Sequence, residues 1–164
     1  MRRSPLHGLA ASALLLALGL GACSAPREDS SAMRVHAFRL LPGDDLRVGI
    51  QRYVDEHGIE AGWIATGVGS LTELHLRYAD RPSGERRSGR FEIVSLVGTV
   101  SKHGSHLHLA VSDEHGATLG GHLLDGCKVY TTAELVLGES VEHVFTRERD
   151  GSTAWPELVV RRKP

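Results

Sequence analysis

Two histidines, His106 and His108, stand two positions apart in His106-Leu107-His108-Leu109-Ala110-Val111, a run with the alternation of a strand. Successive side chains of a strand leave opposite faces, so Leu107, Leu109 and Val111 share one face while His106, His108 and Ala110 share the other. A third histidine, His122, follows one hairpin later in Gly120-Gly121-His122, and an antiparallel partner strand would bring it opposite the first two. Three neutral imidazoles form a donor set for Zn2+ or another divalent transition metal, leaving a coordination position for water, substrate or a partner group. The competing reading is a group of hydrogen-bonded polar residues at a cavity or subunit interface, because the chain holds ten histidines and such pairs arise by chance. His103 and His115 fall at neighbouring turns and are expected to be exposed. His36, His57, His75 and His143 have no comparable partners in spacing.

Metal-assisted hydrolysis would also need a base and a pocket. Asp113, Glu73, Glu92 and Glu134 are carboxylates, but spacing brings none of them to the histidines, so no catalytic residue is assigned. The chain has no nucleophile elbow, phosphate loop, Cys-x-x-Cys pair or dinucleotide fingerprint. Cys127, in an apolar-leaning stretch, reads as a buried small hydrophobe.

The elements that must position the histidines follow from periodicity and punctuation. Val35 to Leu40 reads as a strand closed by Pro42-Gly43-Asp44; Asp44 and Asp45 then supply a helix cap and first-turn negative charge. Leu46, Ile50, Tyr53, Val54 and His57 recur at helical spacing, and Gly58 marks the stop. Ala61 to Val68 reads as a strand covered on both faces. Gly67, Gly69 and Ser70 are expected to break it before Leu74, Leu76 and Tyr78 resume strand period. Ala79 to Gly89 is expected to be a polar loop. Phe91 to Val100, His106 to Ser112, Thr118 to Leu123, Val129 to Leu137, Val141 to Phe145 and Leu158 to Val160 complete the strands. Links this short favour antiparallel pairing, since a parallel crossover needs about a dozen residues or more. The expected fold is therefore α/β in the α+β sense, a mostly antiparallel curled sheet packed on one main helix.

Residues 1–32 differ in character. Met1, Arg2 and Arg3 form a positive head, and Leu9 to Leu20 is a small-and-apolar run with six leucines, too short for an ordinary spanning helix. Leu20-Gly21-Ala22-Cys23 then resembles the lipobox of a bacterial lipoprotein, in which the chain is cut before a cysteine that is acylated. The expectation is a signal peptide over residues 1–23 with Cys23 as the lipidated residue, a linker over 24–32, and a domain over 33–164. That arrangement makes a membrane-anchored lipoprotein facing the periplasm or the outside. A protein starting at Met33 would instead be cytoplasmic.

Charge bears on partners. The chain has 19 basic and 20 acidic residues. Setting aside Arg2, Arg3, Arg27, Glu28 and Asp29 leaves 16 and 18, so the domain is slightly acidic. Such a balance does not grip nucleic acid by phosphate neutralisation alone, although Arg81, Arg86, Arg87 and Arg90, or the tail Arg161, Arg162 and Lys163, form candidate local patches.

Several ordered motifs carry a resemblance: Gly62-Trp63-Ile64, Gly67-Val68-Gly69-Ser70-Leu71, Gly89-Arg90-Phe91-Glu92-Ile93-Val94-Ser95-Leu96-Val97-Gly98-Thr99, His106-Leu107-His108, Gly120-Gly121-His122-Leu123, Gly126-Cys127 and Thr131-Thr132-Ala133-Glu134. Together they resemble the PPC domain, the DUF296 family shared by plants and prokaryotes, from Met33 to about Val160. The resemblance implies an antiparallel sheet around a helix, a homotrimer, and metal binding through histidines matching His106, His108 and His122. It also implies partner or trimer contact through Gly89, Arg90, Phe91, Glu92 and Ile93. The family is commonly labelled DNA-binding because plant members add AT-hooks, and this chain has no Arg-Gly-Arg-Pro hook. Three functions follow as expectations: a non-enzymatic trimeric binding or assembly module with a metal site, a small zinc-dependent enzyme, and a DNA-binding protein.

Overall fold

The computed structural model describes residues 30–164, so the expected signal, Cys23 and most of the linker lie outside the described residues. The chain runs β1 (Met33–Leu40), α1 (Leu46–Glu56), β2 (Gly62–Arg77), β3 (Glu85–Ser101), β4 (Gly104–Ser112), β5 (Thr118–Leu123), β6 (Lys128–Ser140), β7 (His143–Glu148) and β8 (Glu157–Arg162). Six strands form one sheet in the order β1-β6-β2-β3-β4-β5, and every pairing is antiparallel. A further contact between β2 and β5 curls the sheet back on itself. Among the described residues this is the curled antiparallel sheet on one helix that periodicity and the short links predict. β7 and β8 make a separate two-stranded sheet, which strand spacing alone did not separate from the rest.

The helix forms where its stripe requires it. Leu46, Ile50 and Val54 are fully buried, each on the face turned to the sheet. Asp45 caps the helix by accepting from the Val48 amide at 3.2 Å. Asp44 stays in the preceding turn, accepting from the Leu41 amide at 2.8 Å, and the first helical turn holds no acidic residue, contrary to expectation. Tyr53 stacks on Phe38 of β1 with ring centroids 3.9 Å apart, tying helix to edge strand.

The structure corrects several sequence expectations: Ala65, Thr66 and Val68 are exposed, so Ala61 to Val68 is not covered on both faces, and β7 starts at His143. The glycines at 67 and 69 do not break β2. They lie within one long strand whose register against β6 shifts between Ile64 and Thr66 and again between Gly69 and Leu71, as at β-bulges. Gly69 has φ +148°, and a Cβ there would stand 2.1 Å from the Thr132 carbonyl oxygen, so the residue serves close approach of β6 rather than a turn. The expected loop from Ala79 to Gly89 is shorter, because Glu85–Ser88 already pair with β2 residues 73–76. Residues 85–88 are polar and exposed, so their strand state is set by pairing and carries no hydrophobic alternation.

Candidate metal centre

Leu107, Leu109 and Val111 are at most 2% exposed, and they fix which face β4 turns to the core. A one-residue slip would bury the histidines in their place, so packing holds His106 and His108 outside. On β5, His122 lies directly opposite His108, as the hairpin argument requires. His122 is also opposite Arg77 of β2, at the seam where the sheet curls closed. The glycine before it permits that closure, since a Cβ on Gly121 would come within 2.7 Å of the Arg77 carbonyl oxygen.

The three rings converge. His106 Nε2 lies 3.2 Å from His122 Nδ1 and 3.2 Å from His108 Nε2, and the three nitrogens fall within 4.8 Å of one another. A tetrahedral ion with Zn–N bonds of about 2.0–2.1 Å keeps its nitrogen ligands about 3.3 Å apart, so the spacing suits such an ion. The donor chemistry points the same way. A proton on His106 Nε2 satisfies one of its two nitrogen neighbours, whereas a cation among three lone pairs satisfies all three. Burial, followed by the charge of Arg147, lowers the pKa of His106; burial, followed by Arg77, lowers that of His122. Both effects favour the neutral, ligating form.

Strand β7 adds a residue the sequence reading missed. Arg147 donates to Thr99 Oγ1 at 2.7 Å and faces His106 Nδ1 at 3.5 Å. Beside the histidines opens a cleft of about 970 Å³, walled by Arg77, Arg147, Trp155 and Glu157 among others. Its carboxylates are Asp80 and Glu157, not the four considered from sequence. Nothing in the alternation of β7 marks Arg147, but an exposed tryptophan beside a proline in a connecting loop, Trp155-Pro156, is a signal that could have been used.

The remaining sequence candidates lie elsewhere. His103 and His115 are exposed at turns as expected, and Cys127 is fully buried. In the stretch from Gly89 to Ile93, Phe91 and Ile93 point into the core, each 7% exposed, while Gly89, Arg90 and Glu92 are exposed. Arg90 lies over the Tyr130 ring at 3.9 Å from its centroid. None of the five is among the converging histidines or in the adjoining cleft.

Comparisons with known proteins bear on the fold. Residues 27–141 match the family model of the Plants and Prokaryotes Conserved (PCC) domain. A hypothetical protein of Salmonella cholerae-suis, solved by crystallography, is 41% identical and superposes with a TM-score of 0.81 over 83% of this chain and 99% of that one. A metal-containing protein from Archaeoglobus fulgidus is 27% identical, with a TM-score of 0.65 over 79% of this chain and 95% of that one. The bifunctional protein GlmU of Synechococcus sp. (strain JA-3-3Ab) is 43% identical over 133 residues, which make up 81% of this chain. This chain spans only 21% of that relative's length.

Proposed function

Because this chain belongs to the Plants and Prokaryotes Conserved domain family, we propose that it is a non-enzymatic metal-binding module, a homotrimer holding Zn2+ or a similar divalent ion on His106, His108 and His122. The observation that carries this reading is the 3.2 Å spacing of His106 Nε2 from both neighbouring ring nitrogens. The similarity to a metal-containing archaeal protein supports it. When bound, such an ion supplies a Lewis-acidic position open to a further ligand. The chain's own part is to hold three neutral rings in place, His106 and His108 through β4 packing and His122 through β5 register.

Elemental analysis of the purified full chain after zinc loading and dialysis tests the reading. One ion per chain is expected, with His108→Ala dropping to background while its circular dichroism is kept. A wild-type chain that retains no zinc, cobalt or nickel would sink it.

A second reading, a small metal-dependent enzyme, draws on Glu157 and Asp80, carboxylates in a cleft beside an open coordination position. DNA binding draws less support. The basic tail is largely neutralised within the fold, with Arg161 paired to Glu148, Arg162 to Glu142 and Lys163 to Glu60. The homotrimer draws support from exposed valines described below. We also propose the membrane anchor at Cys23, which rests on the lipobox-like sequence.

A further inference from the structure

Three guanidiniums, from Arg77, Arg81 and Arg147, line the cleft together with His106, His122 and Trp155. Among the described residues, none of the three arginines has a carboxylate within ion-pair distance, 4.0 Å. Arg77 stacks over Trp155, 5.7 Å from the ring centroid, and Arg147 relies on Thr99 and His106. The cleft's own carboxylates, Asp80 and Glu157, leave it with an excess of positive charge even before a divalent ion is added. Cationic groups around an open coordination position are what an oxyanion requires.

The placing of His106 links the two ligands. Its Nε2 is one of the three converging ring nitrogens, and its Nδ1 lies 3.5 Å from Arg147. A divalent ion held by the rings and the Arg147 guanidinium would therefore act on the same anion.

We propose that this cleft binds a small organic oxyanion, a carboxylate or a phosphate ester, held by Arg77 and Arg147 beside the metal ion, and that the anion and the metal bind cooperatively. The proposal rests on the metal-binding reading above. Trp155 and Pro156 supply an apolar wall for the organic part. Linkage requires the cooperativity to be mutual, so the anion should also tighten metal binding.

Calorimetric titration of the full chain, zinc-loaded and metal-free, with inorganic phosphate, phenyl phosphate and benzoate tests it. The three probes separate phosphate from carboxylate recognition and a bare anion from one with an aromatic body. At least one probe should bind the loaded chain, about tenfold or more weakly to the metal-free chain, and about tenfold or more weakly to loaded Arg77→Met. Arg147→Gln should likewise weaken binding to the loaded chain about tenfold or more. Elemental analysis of the same samples separates the two readings. If wild type takes up zinc and Arg77→Met keeps it, but no probe binds or affinity is indifferent to zinc and to Arg77, the anion proposal alone is overturned. If wild type takes up no metal, both fall.

Discussion

His106 stands between two groups: its Nε2 is one of the three converging ring nitrogens, and its Nδ1 lies 3.5 Å from Arg147. Cys127 shows the opposite situation, a titratable group removed from chemistry. It is fully buried, receives the His75 amide on its sulfur at 3.1 Å, and burial pushes its thiol pKa up to about 11. Because the thiolate is the reactive form, Cys127 should resist alkylation by iodoacetamide at pH 7.5 in the native chain and react only when denaturant is added. Peptide mass spectrometry showing rapid native labelling at Cys127 would contradict this. Its place in the sequence, after Gly126 and before alternating apolar residues, already pointed to a packing role. The role of Arg147 was not legible, because an arginine near a strand end reads as a solvated surface residue until the chain folds over β3 and β4.

At the scale of elements, the hairpin of β7 and β8 matters because it carries Arg147 and closes over the connection bearing Trp155. It is tied to the main sheet around Glu60. The Phe145 amide donates to the Glu60 carbonyl at 2.8 Å, and Ser101 Oγ donates to the Phe145 carbonyl at 2.9 Å. The Glu60 carboxylate takes the ammonium groups of Lys102 and, at 2.7 Å, Lys163. Hydrogen bonds from those lysines, Lys102 foremost, lower its pKa from 4.5 to about 2. A carboxylate with a depressed folded-state pKa stabilises the fold above its unfolded value and loses that contribution as protons bind. The Glu60 contribution should therefore be intact above pH 4.5 and fade towards about pH 2. Glu60→Gln should flatten the fall in urea stability across that window, with a modest effect because the site is partly solvated. Superimposable stability profiles for the two proteins would show that the junction does not work this way.

At the scale of the molecule, Val68, Val94 and Val97 on β2 and β3 are 51–58% exposed. Val97 lies opposite His108 in the pairing of β3 with β4, so this apolar surface borders the histidine centre. A contiguous apolar surface marks an association site, and a rotationally closed ring of three would bury these valines on every copy. Light scattering behind size exclusion should give three times the mass of the single chain for the wild type, and Val97→Glu should run as a folded monomer. A monomeric wild type would end the trimer proposal. The anchor belongs to this scale too. In a bacterial host, the full chain should incorporate labelled palmitate and partition with membranes, and Cys23→Ser should do neither; unlabelled wild type would rule the lipid out.

The sequence by itself determined the histidine triad's strand faces, the single helix, the burial of Cys127 and the antiparallel character of the sheet. The first two follow from local periodicity, in which a neighbour two or four residues away decides which side faces the core; the burial of Cys127 follows from its apolar-leaning stretch, and the antiparallel pairing from links too short for a crossover. Tertiary structure decided the rest. The long β2 continues through its glycines because β6 needs to approach it closely. The polar residues 85–88 become strand because β2 offers them a partner. Arg77, Arg147 and Trp155 meet the histidines only when the sheet curls through β2 and β5 and the last hairpin folds back. These residues are far apart in sequence, Arg77 from His122 and Arg147 from His106 by more than a hairpin, where no periodicity reaches, and their meeting turns three converging rings into a candidate ligand site.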